Sequence, residues 1–322
     1  MPVRVSVLIP SYNHARFLPS ALGSVEAQTF KDWEIVAVDD GSSDDSPAML
    51  RNAAGPRIRF EENSENLGTY GSLDRALRLS EGEFIAVLNS DDLWAPMKLE
   101  KQVALLDSHP HLPYCYTLGN RVDEEGAVQQ TDDHAHWPQA QIQELLPWLL
   151  TENRVLASSV VFRRGEVKFL PELRYSGDWA ALLGPALRSK VGCIHEKLTC
   201  WRMHGNNTFT RSAGQVAEEI RLRESILADP THWEIPRLSK HEVRQRLSTC
   251  AIHLSALYVL RGQMKEARRA AGLGLKFFPG ESASKRMAAV SLPLTLARKA
   301  LWGREPGVDA LPAKPLMALD EL

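Results

Sequence analysis

The first hundred residues alternate between two hydrophobic periods, and this alternation constrains the fold more than any other feature of the chain. Continuous apolar runs predict strands at 3–10, 33–38, 58–60 and 83–88. Helical spacing of apolar residues predicts helices at 15–28, 46–54 and 69–80. Strands that alternate with helices are typical of a parallel sheet covered on both faces. The sequence therefore predicts an α/β fold with a mostly parallel central sheet flanked by helices.

The remainder of the chain changes character near residue 212. Before that point we predict helices at 97–108, 142–151 and 176–188, a hairpin at 114–130, and strands at 155–163 and 191–201. After it the pattern is helical throughout, with two helices around Gly262. We therefore predict a first domain at 1–212 and a helical C-terminal region at 213–322.

The composition excludes several classes of protein. The 38 basic and 40 acidic side chains give a net charge of −2, which argues against nucleic-acid binding because that function relies on a basic surface. The four cysteines show no C-x-x-C spacing, which predicts reduced thiols in a cytoplasmic protein. No apolar stretch approaches the roughly 20 residues of a spanning helix, so we expect no transmembrane segment.

Polar residues gather where three of the predicted strands end. The clusters are Ser11-Tyr12-Asn13, Asp39-Asp40 and Asn89-Ser90-Asp91-Asp92. Ligands of open parallel sheets bind at the carboxyl ends of the strands, so we expect the three clusters to meet at one edge and form the site.

The two Asp-Asp pairs admit two interpretations. Paired carboxylates at a sheet edge suit a hard divalent cation such as Mg²⁺ or Mn²⁺ together with substrate phosphates. The alternative is that each pair only caps the turn that follows its strand. The sequence carries no G-x-G-x-x-G after the first strand, no P-loop and no HExxH, so a ligand at this edge is held without a glycine-rich phosphate loop.

Other candidate residues lie further along the chain. Asp178 begins a predicted helix, and His204 lies in the segment WRMHGNN; each also has a structural interpretation. The histidines and aspartates at 131–141 resemble metal ligands, but their polar surroundings predict a solvated loop. The stretch 282–304 holds five basic residues and no acidic one, which fits either an exposed helix pair or peripheral contact with an anionic membrane.

Two long segments resemble glycosyltransferase family 2, whose members have the A-type nucleotide-sugar-binding fold. The segments are VSVLIPSYNHARFLPSALGSVEAQTFKDWEIVAVDDGSSDDS and NLGTYGSLDRALRLSEGEFIAVLNSDDLWAPMKLEKQ. A looser resemblance continues through ASSVVFRRG and WRMHGNN, so the match spans roughly 3–210. The resemblance implies that the first domain binds a nucleotide sugar and carries the catalytic site.

The resemblance also implies a role for each candidate residue. Asp178 would be the general base, while Asp92 and His204 would bind the metal, Mg²⁺ or Mn²⁺. The donor nucleotide would contact Pro10, Tyr12, Asp39, Asp40, Asn66, Gly68 and Asp91. Four positions depart from the family pattern: Asn89 stands where an aspartate is usual, and Gly177 replaces the acidic residue that commonly precedes the base. Asp74 and Ser72 replace the more usual asparagine and alanine after the Asn66-Leu67-Gly68 segment.

The implied function is that of an inverting, metal-assisted glycosyltransferase. It would move a sugar from a nucleoside-diphosphate sugar to the hydroxyl of a saccharide or lipid-linked acceptor, in surface polysaccharide or lipid-linked oligosaccharide synthesis. We expect no nucleic-acid partner and a cytoplasmic location, and we keep open a membrane contact through 282–304 and a homo-oligomer. The alternatives are a sugar nucleotidyltransferase and a sugar-nucleotide-binding module whose catalytic site has decayed.

Overall fold

A computed structural model describes residues 3–131, 137–205, 207, 213–228, 235 and 237–278. The chain divides into two compact units. One comprises Met1–Leu145 and Arg154–Thr208, and the other comprises Leu146–Asn153 and Phe209–Leu322. The eight residues from Leu146 to Asn153 thus belong with the second unit, although the sequence analysis placed them in the first domain. The cluster at 132–136 and the basic stretch at 282–304 lie outside the described residues.

The first unit contains the strands and six of the helical segments of the described chain. Its strands are β1 (Val5–Ser11), β2 (Trp33–Asp39), β3 (Ile58–Glu62), β4 (Phe84–Val87), β5 (Leu93–Trp94), β6 (Tyr114–Val122), β7 (Val128–Thr131), β8 (Ile142–Gln143), β9 (Val161–Arg163) and β10 (Val191–Arg202). Its helices are α1 (Leu18–Glu26), α2 (Ser46–Ala53), α3 (Thr69–Leu79), α4 (Lys98–Ser108), a 3-10 helix (Ala157–Ser159) and α6 (Gly177–Arg188). The second unit contains α5 (Leu146–Leu149), α7 (Ala213–Ala228), α8 (Lys240–Leu260) and α9 (Met264–Phe277).

The strands form one mixed sheet, ordered β3-β2-β1-β4-β9-β6-β10-β5, with β7 paired to β6 and β8 to β10. The four strands β3, β2, β1 and β4 are parallel, as the alternating pattern predicts. The short strand β9 lies between β4 and β6 and runs antiparallel to both. The predicted α/β class is confirmed, and the sheet is parallel mainly in the half that the first hundred residues build.

The core of the first unit is centred on β1. All seven residues of β1 are buried, because helices cover both faces of this central strand. Its apolar side chains Val5, Val7 and Ile9 pack in one cluster with residues of α1, β2 and β4. A buried, nearly continuous apolar strand fixes the position of whatever follows its last residue. That rigidity is what places the polar cluster after β1.

The second unit is helical in the part that the structure describes, as the pattern after residue 213 predicts. The side chain of Ser239 caps α8 by accepting a hydrogen bond from the Glu242 amide. Inside the unit the buried Arg223 donates to the carbonyl oxygen of Thr151 at 2.6 Å. None of the helices in the described ranges is both long and apolar enough to cross a membrane.

Candidate active site

Three polar clusters meet at one edge of the sheet because the strands that precede them are neighbours. In the parallel register Pro10 lies opposite Val38 and Ser11 opposite Asp39, while β4 runs beside β1 on the other side. The carboxyl ends of β1, β2 and β4 are therefore adjacent. This is the arrangement that the sequence predicted for the site.

The Asp39-Asp40 pair after β2 organises two turns. Both oxygens of Asp39 accept hydrogen bonds from Ser42, from its amide at 2.8 Å and its hydroxyl at 2.7 Å. Burial raises the pKa of Asp39, and these hydrogen bonds act in the opposite direction. Asp39 is thus a buried residue of the strand end whose carboxylate shapes the turn beginning at Gly41.

Asp40 holds the loop before α3. Its Oδ1 accepts from Asn63 Nδ2 and from the Leu67 amide, each at 2.8 Å, and its Oδ2 accepts from the Gly68 amide at 2.8 Å. Asn66 Nδ2 donates to the Asp40 carbonyl at 3.3 Å. Gly68 has a φ of 81°, a conformation that glycine adopts without strain. The predicted donor-site residues Asn66 and Gly68 therefore lie directly beside Asp40.

Tyr12 follows β1 and is 47% exposed, which is unusual for a large aromatic residue among those that the structure describes. The loop after it is fixed, since the amide of Asn13 donates to the Ser42 hydroxyl at 2.8 Å. An exposed ring on a fixed loop at the sheet edge is available to stack on a planar ligand.

A cluster of two histidines and one aspartate occupies the same edge. His204 Nε2 lies 3.0 Å from Asp91 Oδ2, and both side chains are nearly buried. His14 completes the group: each of the three residues offers a ligand atom, and these atoms lie within 4.8 Å of one another. Burial lowers the pKa of His14, although the nearby Asp91 acts to raise it. The neutral imidazole that burial favours is the form that binds metals.

The donor set of this cluster fits a divalent transition metal. Two imidazole nitrogens with a carboxylate oxygen suit Mn²⁺ as well as Zn²⁺ and Fe²⁺. Metal-bound histidines also use their other nitrogen to hydrogen-bond a neighbour, and His14 Nδ1 lies 2.8 Å from the Ser90 hydroxyl. The residues present therefore match a metal centre in type, spacing and supporting contacts.

Asp92, the predicted metal ligand, is not part of this cluster. It is buried, and its carboxylate accepts hydrogen bonds from Ser158 Oγ, from the Arg202 amide at 3.1 Å and from the Asn89 side chain. Burial and the neighbouring Asp91 raise the pKa of Asp92 well above its usual value. The pair thus divides its roles in this structure: Asp91 faces the histidines, and Asp92 anchors β10 and the 3-10 helix to the end of β4.

His14 was not identified from the sequence. It is in the loop after β1, three residues beyond Ser11, so its position next to a strand end was the available signal. Arg202 was also missed. It is buried, and its Nε donates to the Asp91 carbonyl at 2.8 Å, which fixes the segment that carries the cluster.

Asp178, the predicted base, lies at the start of α6. The Trp179 amide donates to its Oδ1 at 2.8 Å, and the Tyr70 hydroxyl donates to the same oxygen at 3.3 Å. Asp178 is half-buried and lines a small, partly open pocket together with residues of α3, β4 and the 3-10 helix.

Comparison with known proteins identifies the family. The model of the family "Glycosyl transferase family 2" matches residues 6–165. An uncharacterized glycosyltransferase of Nostoc sp. (strain PCC 7120) is 29% identical over 232 residues, which is 67% of this chain and 70% of the relative. The Escherichia coli enzyme named UDP-Glc:alpha-D-GlcNAc-diphosphoundecaprenol beta-1,3-glucosyltransferase is 36% identical over 102 residues, covering 32% of this chain and 40% of the enzyme.

Solved structures share the fold. The crystal structure of S. aureus TarS 1–349 in complex with UDP-GlcNAc superposes with a TM-score of 0.67 at 17% identity, covering 92% of this chain and 90% of that one. The mannosyltransferase PcManGT from Pyrobaculum calidifontis, in complex with GDP-Man and Mn²⁺, superposes with a TM-score of 0.54 at 18% identity, covering 94% and 88%. The resemblance seen in the sequence is confirmed: residues 6–165 form a glycosyltransferase family 2 domain, and the chain has the A-type fold.

Proposed function

We propose that this protein is an inverting glycosyltransferase that moves a sugar from a nucleoside-diphosphate sugar to an acceptor hydroxyl. The observation that carries the proposal is the convergence of Asp91, His204 and His14 at the carboxyl edge of the parallel strands, where the fold binds its ligand. The family supports transferase activity, and the neighbouring structures contain UDP-GlcNAc and GDP-Man.

The donor nucleotide would bind along the ends of β1 and β2. The exposed ring of Tyr12 is suited to stack on the base, with Pro10 and Asp39 behind it at the strand ends. Asp40 would act on the nucleotide through the loop that it holds, which brings Asn66 and Gly68 to the same edge.

A divalent cation, Mn²⁺ or Mg²⁺, would be held by Asp91, His204 and His14. When bound, it supplies positive charge that balances the charge developing on the departing nucleoside diphosphate. We assign Asp91 to this role in place of Asp92, because the Asp92 carboxylate already accepts hydrogen bonds from Ser158, Arg202 and Asn89. Asp92 then supports the site by fixing the backbone around Asp91.

Asp178 would act as the general base. The acceptor oxygen forms a bond to the anomeric carbon while the bond from that carbon to the diphosphate oxygen breaks, and the hydroxyl proton passes to the Asp178 carboxylate. A single displacement of this kind inverts the anomeric configuration.

The acceptor would be a saccharide or a lipid-linked saccharide at the cytoplasmic face of the membrane. Support comes from the E. coli relative, whose name specifies a diphosphoundecaprenol-linked acceptor. The matched segment covers 102 residues, so this part of the proposal concerns the class of acceptor and not its identity.

The test is release of nucleoside diphosphate from a panel of UDP-, GDP- and dTDP-sugars by the full chain with Mn²⁺, with water or added saccharides as acceptor. We expect release from at least one donor and a loss of at least about a hundredfold in Asp178→Asn. The matched control is Asp45→Asn, which changes an exposed aspartate and should leave the rate unchanged.

Three results would contradict the proposal. Absence of release from every donor would favour a non-catalytic binding module. Pyrophosphate release from a sugar phosphate and a nucleoside triphosphate would favour a nucleotidyltransferase. A product that keeps the anomeric configuration of the donor, seen by NMR, would exclude the inverting mechanism.

A further inference from the structure

The start of α6 is packed against the ring of Tyr70 in α3. A Cβ built on Gly177 would lie 2.5 Å from Cγ of Tyr70 and within 2.7 Å of both Cδ atoms. Real side-chain atoms do not approach so closely, and Tyr70 is 7% exposed, so its ring has little room to move away. Glycine at 177 is thus what lets the tyrosine ring lie directly on the backbone that precedes Asp178.

This packing brings the Tyr70 hydroxyl to the carboxylate of the next residue. The hydroxyl donates to Asp178 Oδ1 at 3.3 Å, and the Trp179 amide donates to the same oxygen at 2.8 Å. Tyr70 and Asp178 are 108 residues apart in sequence, so their contact depends on the packing of α3 against α6. Two donors on one oxygen restrict the rotation of the carboxylate plane.

The surroundings of this contact are apolar. Tyr70 and Asp178 line the same small pocket, and its remaining lining side chains are hydrocarbon: Leu73, Val87, Ala157, Val160, Phe162, Phe169, Ala181 and Leu182. Apolar neighbours strengthen a hydrogen bond to a carboxylate by lowering the local dielectric constant. The 3-10 helix that supplies Ala157 to this pocket also carries Ser158, which donates to Asp92, the residue next to Asp91.

We propose that Tyr70 is a positioning residue for the catalytic base: its ring, seated on Gly177, holds its hydroxyl against Asp178 and orients that carboxylate toward the acceptor. This inference rests on the proposed function, in which Asp178 accepts the acceptor proton. Tyr70 itself does not take part in proton transfer. Its hydroxyl acts on the rate through the orientation of the Asp178 side chain.

The test uses the full chain, Mn²⁺ and the nucleotide sugar that releases nucleoside diphosphate in the experiment above, with water as the acceptor. Tyr70→Phe keeps the ring on Gly177 and removes only the hydroxyl. We expect kcat to fall roughly tenfold while the donor KM stays unchanged and the melting temperature falls by only a few degrees. A tyrosine that only fills space would leave kcat unchanged in Tyr70→Phe, because the variant keeps the ring.

A double variant tests whether Tyr70 acts through Asp178. In the Asp178→Asn background, Tyr70→Phe should leave the residual rate unchanged, because the carboxylate it orients is gone. The control is Tyr258→Phe in the second unit, which also removes a hydroxyl that donates to a carboxylate, that of Glu224. It should not change kcat.

The possible failures are distinguishable. An Asp178→Asn variant with wild-type turnover overturns the base assigned in the proposed function, and this inference with it. An inactive Asp178→Asn together with a Tyr70→Phe variant of wild-type kcat overturns this inference alone. A further loss on adding Tyr70→Phe to Asp178→Asn likewise overturns it, because the hydroxyl would then act independently of the carboxylate.

Discussion

His204 Nε2 lies 3.0 Å from Asp91 Oδ2, although the two residues are 113 positions apart in the chain. The imidazole is packed between aromatic neighbours: its ring centroid is 4.7 Å from that of Phe17 and 5.4 Å from that of His14. The position of the ring is thus set by packing as well as by the contact with Asp91. Because the side chains of the proposed metal site are already fixed, they would need little rearrangement to bind an ion.

We predict that Asp91→Asn and His204→Ala each weaken Mn²⁺ binding at least about tenfold, because each removes a ligand from the cluster. Titration calorimetry of the full chain with MnCl₂ measures this without any substrate. His111→Ala, which makes the same change at an exposed site, is the control and should bind Mn²⁺ like the wild type.

His14 gives a separate prediction about the choice of metal. If its imidazole is the third ligand, the wild type should bind Mn²⁺ more tightly than Mg²⁺, since nitrogen ligands favour transition metals over Mg²⁺. His14→Ala should reduce that preference by lowering the affinity for Mn²⁺ more than that for Mg²⁺. Equal losses for both ions, or none, would remove His14 from the ligand set.

Asp40→Asn should destabilise the first unit by about 1–3 kcal/mol, because its carboxylate accepts hydrogen bonds from two backbone amides and from Asn63. In asparagine one of the two carboxylate oxygens becomes an NH₂ group, which would face the N–H donors that Asp40 now accepts from. Urea unfolding measures the difference in free energy, with Asp45→Asn expected to stay within about 0.5 kcal/mol of the wild type. Equal stability of the two variants would mean that the loop before α3 does not depend on Asp40.

The parallel half of the sheet and the edge that carries the site could be predicted from the sequence, because both follow from local patterns. Apolar runs such as Ile35–Val38 have one stable place in an α/β domain, and polar residues that follow them must emerge at the same edge. A strand is predicted at 155–163, but the antiparallel direction of β9 could not be predicted. The local pattern indicates a strand, whereas its position between β4 and β6 is decided by pairing across the sheet.

The sequence was equally unable to predict the division of roles between Asp91 and Asp92. Successive residues after a strand differ by a rotation of the backbone, and the sequence does not say which carboxylate faces the ligand. The structure separates them through long-range partners, His204 for one and Ser158 for the other. His14 was missed for the same reason: a lone histidine in a loop becomes a candidate ligand only when the fold brings other ligand residues, here Asp91 and His204, close to it.

Gly82 gives a prediction about close packing at the start of β4. A Cβ at this position would lie 2.5 Å from the Ser6 amide nitrogen and 2.8 Å from the carbonyl carbon of Val5. These are backbone atoms of the central strand, which cannot move aside cheaply. Gly82→Ala should therefore destabilise the first unit by about 2 kcal/mol or more.

The control for Gly82 is Gly23→Ala in α1, where the added methyl group meets nothing within 4 Å. Alanine is the better helix former, so this variant should be about 0.5–1 kcal/mol more stable than the wild type. Thermal unfolding of both proteins compares the two sites directly. A Gly82→Ala protein as stable as Gly23→Ala would show that β1 can shift to admit the methyl group.

Lys98 is a fully buried lysine at the start of α4. Its Nζ lies 4.0 Å from the centroid of the Trp94 ring and, within the described residues, has no hydrogen-bond partner. Burial lowers the pKa of Lys98 to about 7 from its usual 10.5, and the thiol of Cys115 beside it has its pKa raised to about 12. Between about pH 7 and pH 10.5 the Lys98 amine is therefore protonated in the unfolded chain and neutral in the folded protein.

This difference sets the direction of a pH effect on stability. Below about pH 7 the folded protein carries a buried charge, and as the pH rises toward 10.5 the penalty disappears, so Lys98 makes stability increase with pH in this window. Lys98→Met replaces the lysine with an unbranched side chain of similar length and removes the charge. It should be more stable than the wild type near pH 7, and the gain should shrink with rising pH by at most ~1.4 kcal/mol per unit.

Urea unfolding at several pH values between 7 and 10 measures the gain. Lys101→Met on the same helix is the control, because the Lys101 ammonium pairs with Glu196 at the surface, and its effect should stay within about 0.5 kcal/mol. A Lys98→Met protein less stable than the wild type near pH 7 would mean that the contact with the Trp94 ring outweighs the cost of burying the charge. A gain that does not change with pH would mean that Lys98 has the same proton occupancy in the folded and unfolded chains.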